Sequence, residues 1–302
     1  MKIAVDFPSV AYREGPDQVL ALASAIEQIG YDEIAAFDHV VMGYPSQGRR
    51  TIYPAEMPIL EALMLLANIA AVTSKVSLST EVLVLPQRQP VLVAKQISTL
   101  DTLSRGRVRL GIGVGWQDSE YDALEEDFSN RGKRMDEAID LMRSYWQGGR
   151  IEFRGSYYES HDMCMEPVPP QGAKIPIRVC GESQAALKRT AKKADGWMAS
   201  GVTDEQALLC VADIQRMAEE FGRDPSEIGF QLMLQPPPRS DEDKLFYTNL
   251  DVIAERAAVV NAMGFEWTSV NATAVFQAGA RSVGAMIEQL ELIHTRIRTE
   301  VD

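Results

Sequence analysis

The sequence is poor in the residues that would take it outside ordinary globular proteins. Its 302 residues include three cysteines, Cys164, Cys180 and Cys210, and no Cys-x-x-Cys pair. Any disulfide would leave one cysteine over, so a disulfide scaffold is excluded and a reduced, cytoplasmic compartment is expected. No run approaches the roughly 18 apolar residues of a membrane-spanning helix. The opening MKIAVDFPSV has only a short apolar run, so we expect a first strand there and not a signal peptide.

Positive charge is also scarce. The chain has 30 Lys and Arg against 43 Asp and Glu, which gives a formal net charge of −13. Such a chain is a poor candidate for binding nucleic acid or an anionic membrane through bulk electrostatics. We therefore expect a small-molecule partner and neither of those two.

Several catalytic motifs are missing. There is no His-Glu-x-x-His and no His/Cys cluster, so no metal site is expected, and no Gly-x-Ser-x-Gly marks a serine nucleophile. Gly111, Gly113 and Gly115 form a Gly-x-Gly-x-Gly run, which lacks the Gly-x-Gly-x-x-Gly spacing of dinucleotide folds. A following series of acidic residues would repel a pyrophosphate. These glycines indicate instead that a flat ligand could approach the backbone closely.

The sequence does contain a regular alternation of strand and helix patterns. Predicted strands cover residues 3–7, 33–37, 76–85, 108–112, 175–180, 196–200, 228–235 and 266–271, and each reads as an apolar run. Predicted helices cover residues 16–29, 55–72, 91–103, 131–146, 183–193, 205–221, 252–263 and 283–297. Eight such units in about 300 residues favour a closed (β/α)8 TIM barrel over an open doubly wound sheet. We expect one domain over residues 1–302, with a hairpin insertion at about 150–172 after the fourth βα unit.

Catalytic groups of a TIM barrel lie at the carboxyl ends of its strands. His39 follows the second predicted strand directly. Its imidazole could orient a cofactor or pass a proton, or it could be a packing histidine hydrogen-bonded to Asp38. Trp116 and Trp197 each follow a predicted strand position and a glycine. They could wall an aromatic pocket or belong to the core.

A candidate anion site follows the fifth predicted strand. The run Gly181, Glu182, Ser183 leads from that strand into a helix start, where free N–H groups favour a phosphate. Ser183 could equally serve only as the cap of that helix.

Together these segments resemble the bacterial luciferase-like superfamily of flavin-dependent monooxygenases and coenzyme F-420-dependent oxidoreductases. The similarity covers nearly the whole chain and is most specific over residues 78–146. It is carried by residues 30–40, the run LSTEVLVLPQRQPVLVAKQISTLDTLSRGRVRLGIGVGW at 78–116, Arg131 with the helix after it, and ADGW at 194–197. The LPQRQP form and the tyrosine-rich hairpin are most similar to an F-420-dependent branch.

The resemblance implies a TIM barrel with a flavin or deazaflavin ring in its mouth. His39 matches the active-site histidine of the family. Glu81 and Val82 match a bulge, sometimes with a cis peptide, that backs the ring. Gly113, Gly115 and Trp116 match part of the family's cofactor pocket wall. Gly181, Glu182 and Ser183 match the segment that binds the cofactor phosphate in relatives.

The resemblance also implies the chemistry, without deciding the cofactor. With FMN, an organic substrate would be oxygenated and a partner flavin reductase would be needed; with F-420, a hydride would move between ring and substrate. Arg49, Arg50 and Arg88 are candidates for a basic rim around the F-420 tail, or are surface charges. Trp116 stands where some deazaflavin sugar-phosphate dehydrogenases carry a carboxylate, which argues against that acid–base chemistry and for a less polar substrate.

Two other functions stay open at this point. The same barrel could bind flavin without turnover, because a fold does not fix a function. A hydrolase or aldolase would need a catalytic lysine or a carboxylate pair at the strand ends, and the sequence shows no partner for Glu81. The resemblance is compatible with a homodimer.

Overall fold

Eight strand positions close into a parallel barrel, which confirms the predicted (β/α)8 architecture. The computed structural model describes residues 1–46, 48–49, 51–235, 240, 243 and 245–301. The barrel strands are β1 Lys2–Asp6, β2 Glu33–Ala36, β3 Ser77–Thr80, β4 Leu83–Val84, β5 Val108–Gly113, β8 Ile177–Cys180, β9 Gly196–Ala199, β10 Gly229–Met233 and β11 Trp267–Asn271. β1 pairs with both β2 and β11, and β3 pairs with β5, so the ring is closed. The short β4 continues β3 and also pairs with β5.

Helices surround this barrel. They are α1 Pro16–Ile29, α2 Ala62–Val72, α3 Pro90–Ser104, α4 Asp118–Ala123, α5 Arg131–Gln147, α6 Gln184–Lys193, α7 Asp204–Glu220, α8 Leu250–Ala262, α9 Ala272–Gln277 and α10 Val283–Val301. The predicted stripe of α5 is buried, and it includes Met135, Ile139 and Trp146. None of the helices in the described ranges is long and apolar enough to cross a membrane.

Two elements differ from their predicted bounds, and the hairpin insertion lies where it is predicted. Helix α2 begins at Ala62, seven residues after the predicted start, because Glu61 caps it by accepting a hydrogen bond from the Met64 N–H at 2.7 Å. The predicted strand 76–85 is broken into β3 and β4, and the Glu81–Val82 peptide between them is cis. The hairpin after α5 lies within the predicted insertion at about 150–172 and consists of β6 Ile151–Arg154 and β7 Glu159–Met163.

The two faces of the barrel strands are chemically different. Outward residues such as Ile3, Val5 and Ile34 are fully buried beneath the helices and form the main apolar core. Inward residues include Glu33 and Arg109, which form an ion pair, and Trp267, over which the Arg109 guanidinium stacks at 3.5 Å from the ring centroid. TIM barrels are usually filled with branched apolar side chains. The prediction of uniformly apolar strands is therefore wrong for the inner face.

Candidate active site

His39 and Glu120 form a buried pair at the carboxyl-terminal mouth of the barrel. β2 ends at Ala36, and the next three residues bring His39 over the mouth; Glu120 comes from α4, which follows β5. His39 Nδ1 lies 2.9 Å from Glu120 Oε2, and the two side chains are 3% and 1% exposed. The other carboxylate oxygen accepts the N–H groups of Val40 at 2.6 Å and Val41 at 3.3 Å. Nδ1 is thereby committed to Glu120, which leaves Nε2 as the nitrogen that can meet a ligand.

The charge on Glu120 determines the tautomer of that imidazole. Burial opposes ionisation of the carboxyl group, but the hydrogen bonds from His39, Gln87 and the Val40 N–H hold its pKa below the usual value. An ionised Glu120 requires a proton on His39 Nδ1. In the neutral ring Nε2 is then a proton acceptor, and in the charged ring it is a donor.

Asp38 is not the partner of His39, and the alternative of a His39–Asp38 hydrogen bond is wrong. The Asp38 carboxylate accepts hydrogen bonds from both terminal nitrogens of Arg88, at 2.8 and 2.9 Å, and from the Val84 N–H at 2.9 Å. Burial raises the pKa of Asp38 although these contacts counteract it. Arg88 therefore ties the end of β2 to β4 instead of standing free at the rim.

The other two arginines considered for a basic rim have different outcomes. Arg49 is bound by two carboxylates of the α4 segment, Asp122 at 2.5 Å and Asp118 at 3.5 Å. Arg50 lies outside the described residues.

Aromatic rings enclose His39 on several sides. Ring centroids lie 5.2 Å away for Phe37, 5.5 Å for Trp116 and 6.1 Å for Tyr53, all in edge-on or T-shaped contacts. Tyr53 comes from the long loop before α2, and no sequence pattern marked it. Trp197 is 1% exposed and donates from Nε1 to the Gly181 carbonyl at 2.9 Å. Of the two tryptophans, Trp116 lines the mouth and Trp197 belongs to the core.

The glycine run of β5 faces the broken strand. A Cβ on Gly111 would lie 2.0 Å from the Thr80 carbonyl oxygen, and one on Gly113 would lie 2.8 Å from Val82 Cγ2. A Cβ on Gly115 would likewise lie 2.6 Å from Val84 Cγ1. The missing side chains thus let β5 pack closely against residues 80–84, so packing between strands accounts for these glycines.

The side chain of Glu81 extends into the barrel. Gln231 Nε2 donates to both of its carboxylate oxygens at 3.1 Å, and Ser269 Oγ donates at 3.2 Å. The Asp6 carboxyl group lies within hydrogen-bonding distance of it. Asp6 is the carboxylate partner that the sequence did not reveal. Asp6 ends β1 and Glu81 follows β3, so the two residues are far apart in the sequence and meet only inside the barrel.

The segment after β8 forms a helix start at the same end of the barrel. Ser183 caps α6 by accepting from the Ala186 N–H at 3.2 Å, so its capping interpretation is confirmed. Gly181 has a φ of +120°, a conformation that favours glycine. Glu182 and Ser183 are exposed. The first N–H groups of α6 remain without intrahelical acceptors and can bind an anion.

Gln87 is a buried amide at the mouth. It is 5% exposed and contacts the Glu120 carboxylate, whose pKa it helps to lower. The amide makes no further hydrogen bond to the residues that the structure describes. Its remaining capacity to donate and accept suits a planar ligand that offers both, as a flavin ring does.

Curated relatives match a large part of the chain. An uncharacterised protein of Mycobacterium tuberculosis is 36% identical over 217 residues, which cover 69% of this chain and 74% of that protein. Pyrimidine monooxygenase RutA of Klebsiella pneumoniae is 34% identical over 176 residues, covering 55% of this chain and 47% of the enzyme. The match to RutA thus spans about half of that protein's length.

Solved structures and a family model complete the comparison. The coenzyme F420-dependent tetrahydromethanopterin reductase of Methanopyrus kandleri superposes with a TM-score of 0.76 at 16% identity, over 100% of this chain and 99% of the reductase. Another neighbour of the same fold was solved with FMN. At such identities these likenesses show the fold alone. The family model described as luciferase-like monooxygenase matches residues 3–292, and the chain therefore belongs to the luciferase-like monooxygenase family.

Proposed function

We propose that this chain is an oxidoreductase of the monooxygenase type that takes up reduced FMN and a small organic substrate at the barrel mouth. The observation that carries the proposal is the buried His39–Glu120 pair enclosed by Phe37, Tyr53 and Trp116. A histidine with one nitrogen fixed by a carboxylate and the other left for a ligand suits proton transfer in an aromatic pocket.

The residues at the mouth fit a flavin. Trp116 offers an aromatic wall for a ring system, and the buried Gln87 amide beside Glu120 offers a donor and an acceptor. Val82 lies at the break between β3 and β4, where the family resemblance puts the ring. The phosphate would bind at the start of α6, next to Gly181 and Ser183. Reduced flavin supplies the electrons with which dioxygen is activated.

The protein would contribute positioning and a proton. Glu120 keeps Nδ1 protonated, so that His39 Nε2 can accept a proton from the substrate or return one to it. The rings of Tyr53 and Trp116 exclude water from this nitrogen, which strengthens its interaction with charge that develops on the substrate. A flavin reductase would deliver the cofactor in its reduced form.

Two observations favour FMN over F-420. The F-420 tail carries several carboxylates and needs free cations, but Arg88 and Arg49 are each bound by two carboxylates. The curated relative RutA bears the name of a monooxygenase. F-420 is the alternative cofactor, and the titration below includes it.

The test is a fluorescence titration of cofactor-stripped protein with FMN and F-420, each oxidised and reduced. We expect preference for reduced FMN. Preference for F-420 would replace oxygenation by hydride transfer, and binding of neither would overturn the redox proposal. Tight flavin binding without turnover on any organic substrate would favour the inactive flavin-binding alternative.

A substitution tests the role of His39. His39→Ala should slow the reoxidation of bound reduced FMN by dioxygen, or substrate turnover once a substrate is known, by about 10²- to 10⁴-fold, with the fold intact. The matched control is His161→Ala, which removes an exposed hairpin histidine bound to Glu152 at 3.2 Å. A His39→Ala variant as fast as the control would remove His39 from the mechanism.

A further inference from the structure

The barrel interior holds a carboxyl pair that the proposed reaction does not use. Asp6 is the last residue of β1 and is 9% exposed; Glu81 follows β3 directly and is partly exposed at the mouth. The Ser269 hydroxyl lies 3.4 Å from Asp6 Oδ2 and 3.2 Å from Glu81 Oε1, so the two carboxyl groups meet at one side chain and are close enough to hydrogen-bond to each other. Two ionised carboxylates at that distance repel strongly, whereas one proton between them makes a hydrogen bond.

The charges around the pair point to such a proton. Three carboxylates, those of Asp6, Glu33 and Glu81, share the interior with two guanidinium groups. Arg109 pairs with Glu33, and Arg178 donates to Gln231 and lies 3.8 Å from the Glu33 carboxylate. Among the described residues, neither cation forms an ion pair with Asp6 or Glu81. The titratable groups that face the pair from neighbouring elements are Glu33, Arg109, Arg178, Cys180 and Tyr247.

The hydrogen bonds identify which group carries the proton. Both oxygens of Glu81 accept from the Gln231 amide, which suits an ionised carboxylate. The Ser269 hydroxyl does not distinguish the two acids, because it lies 3.2 Å from Glu81 and 3.4 Å from Asp6. Asp6 Oδ1 is buried and has no hydrogen-bond partner among the described residues when both acids are counted as acceptors. A proton on Asp6, donated to Glu81, removes the conflict.

We propose that Asp6 and Glu81 share one proton at neutral pH and that this proton holds the segment between β3 and β4 in the shape that binds the cofactor ring. The role toward the cofactor rests on the proposed function. Through Glu81, that segment is tied to Asp6 on β1, Gln231 on β10 and Ser269 on β11. Asp6 and Glu81 are thus positioning residues, which act on the cofactor through residues 81–82.

The pair makes cofactor binding dependent on pH. When the shared proton is lost, the two carboxylates repel and Glu81 leaves its position. The apparent Kd then rises as the competent fraction falls, by up to about tenfold for each pH unit above the titration of the pair.

The first experiment measures the Kd of FMN against pH for the wild type and Asp6→Asn. The introduced amide donates to Glu81 at every pH, so we expect a flat profile in the variant and a weakening with rising pH in the wild type. Ionisation of FMN itself affects both alike. Asp140→Asn, an exposed position on the outer helix α5, is the control and should follow the wild type. Parallel profiles for wild type and Asp6→Asn would overturn the inference.

A second measurement does not depend on cofactor binding. The infrared spectrum of the folded, cofactor-free wild type should show the C=O stretch of a protonated carboxyl group at neutral pH. Asp6→Asn should lack that band. Absence of the band in the wild type, or its persistence in both Asp6→Asn and Glu81→Gln, would overturn the shared proton. If the wild type binds neither FMN nor F-420, the proposed function and the cofactor role of the pair fail. The infrared band still shows whether Asp6 and Glu81 share a proton.

Discussion

At the scale of single residues, Glu120 is as important to the site as His39. Its carboxylate accepts from Nδ1 and from two backbone N–H groups. We expect Glu120→Gln to lower the rate of the His39-dependent step by about tenfold or more, because the amide carries no charge to fix the tautomer. The rate should be measured together with the Kd of FMN. A loss of affinity at unchanged rate would assign Glu120 to the shape of the pocket instead.

Glu120 should also affect the pH dependence of folding. Its pKa in the folded chain is below the usual value, so its stabilising effect is present above the unfolded pKa and is lost as the pH falls through the folded pKa. Urea unfolding between about pH 3 and pH 7 should therefore show a shallower acid limb for Glu120→Gln than for the wild type. His161→Ala should retain the wild-type slope.

Sequence position predicted His39 but not its surroundings. Its location after β2 follows from the strand pattern, because parallel strands of a barrel expose their carboxyl ends together. Its partners do not follow, since Glu120 lies 81 positions away and the adjacent Asp38 binds Arg88 instead. Tyr53 was invisible because loop conformation is not encoded by periodicity.

At the scale of elements, the packing of β5 against residues 80–84 gives a sharp prediction. Gly111→Ala places a methyl group 2.0 Å from the Thr80 carbonyl oxygen and 2.9 Å from Met198 Sδ. Because backbone of a central strand cannot move aside, we expect a loss of about 3 kcal/mol or more in the free energy of unfolding. Gly284→Ala in α10, which meets nothing within 4 Å, is the control and should be neutral or stabilising. Equal unfolding midpoints in urea would contradict this account.

Element type was easier to predict than element continuity. The alternation of strands and helices follows from hydrophobic periodicity, which the helices need in order to cover the barrel. The break after Thr80 was invisible in the same pattern, since Val82, Leu83 and Val84 continue the apolar run. The resemblance to a family supplied the bulge at Glu81 and Val82, and the structure confirms the break and the cis peptide there.

At the scale of the whole molecule, the main surprise is a barrel filled with charge. Strand segments such as residues 108–112 look apolar because their outward residues dominate the composition. The inward positions of different strands bring Arg109, Glu33 and Trp267 together, and only the closed ring makes them neighbours. A strand pattern gives the alternation of faces, but the pairing of inward side chains depends on barrel closure.

This network should dominate the stability of the barrel and its pH dependence. Arg109→Met keeps an apolar chain on Trp267 but leaves Glu33 without its main cation, and we expect a loss of about 3–5 kcal/mol in the free energy of unfolding. Arg296→Met, which removes surface ion pairs with Asp251 and Glu300, should cost about 0–1 kcal/mol.

The sign of the pH effect separates charge from packing. Burial already raises the pKa of Glu33 against the pull of Arg109, so removing Arg109 raises it further. An acid with a raised folded pKa loses stability as the pH rises, so the deficit of Arg109→Met should grow with pH and shrink in acid, where Glu33 is protonated. Glu33→Gln in the Arg109→Met background should recover most of it at neutral pH. A deficit that is constant with pH and unaffected by Glu33→Gln would mean that lost stacking on Trp267, and not the uncompensated carboxylate, destabilises the barrel.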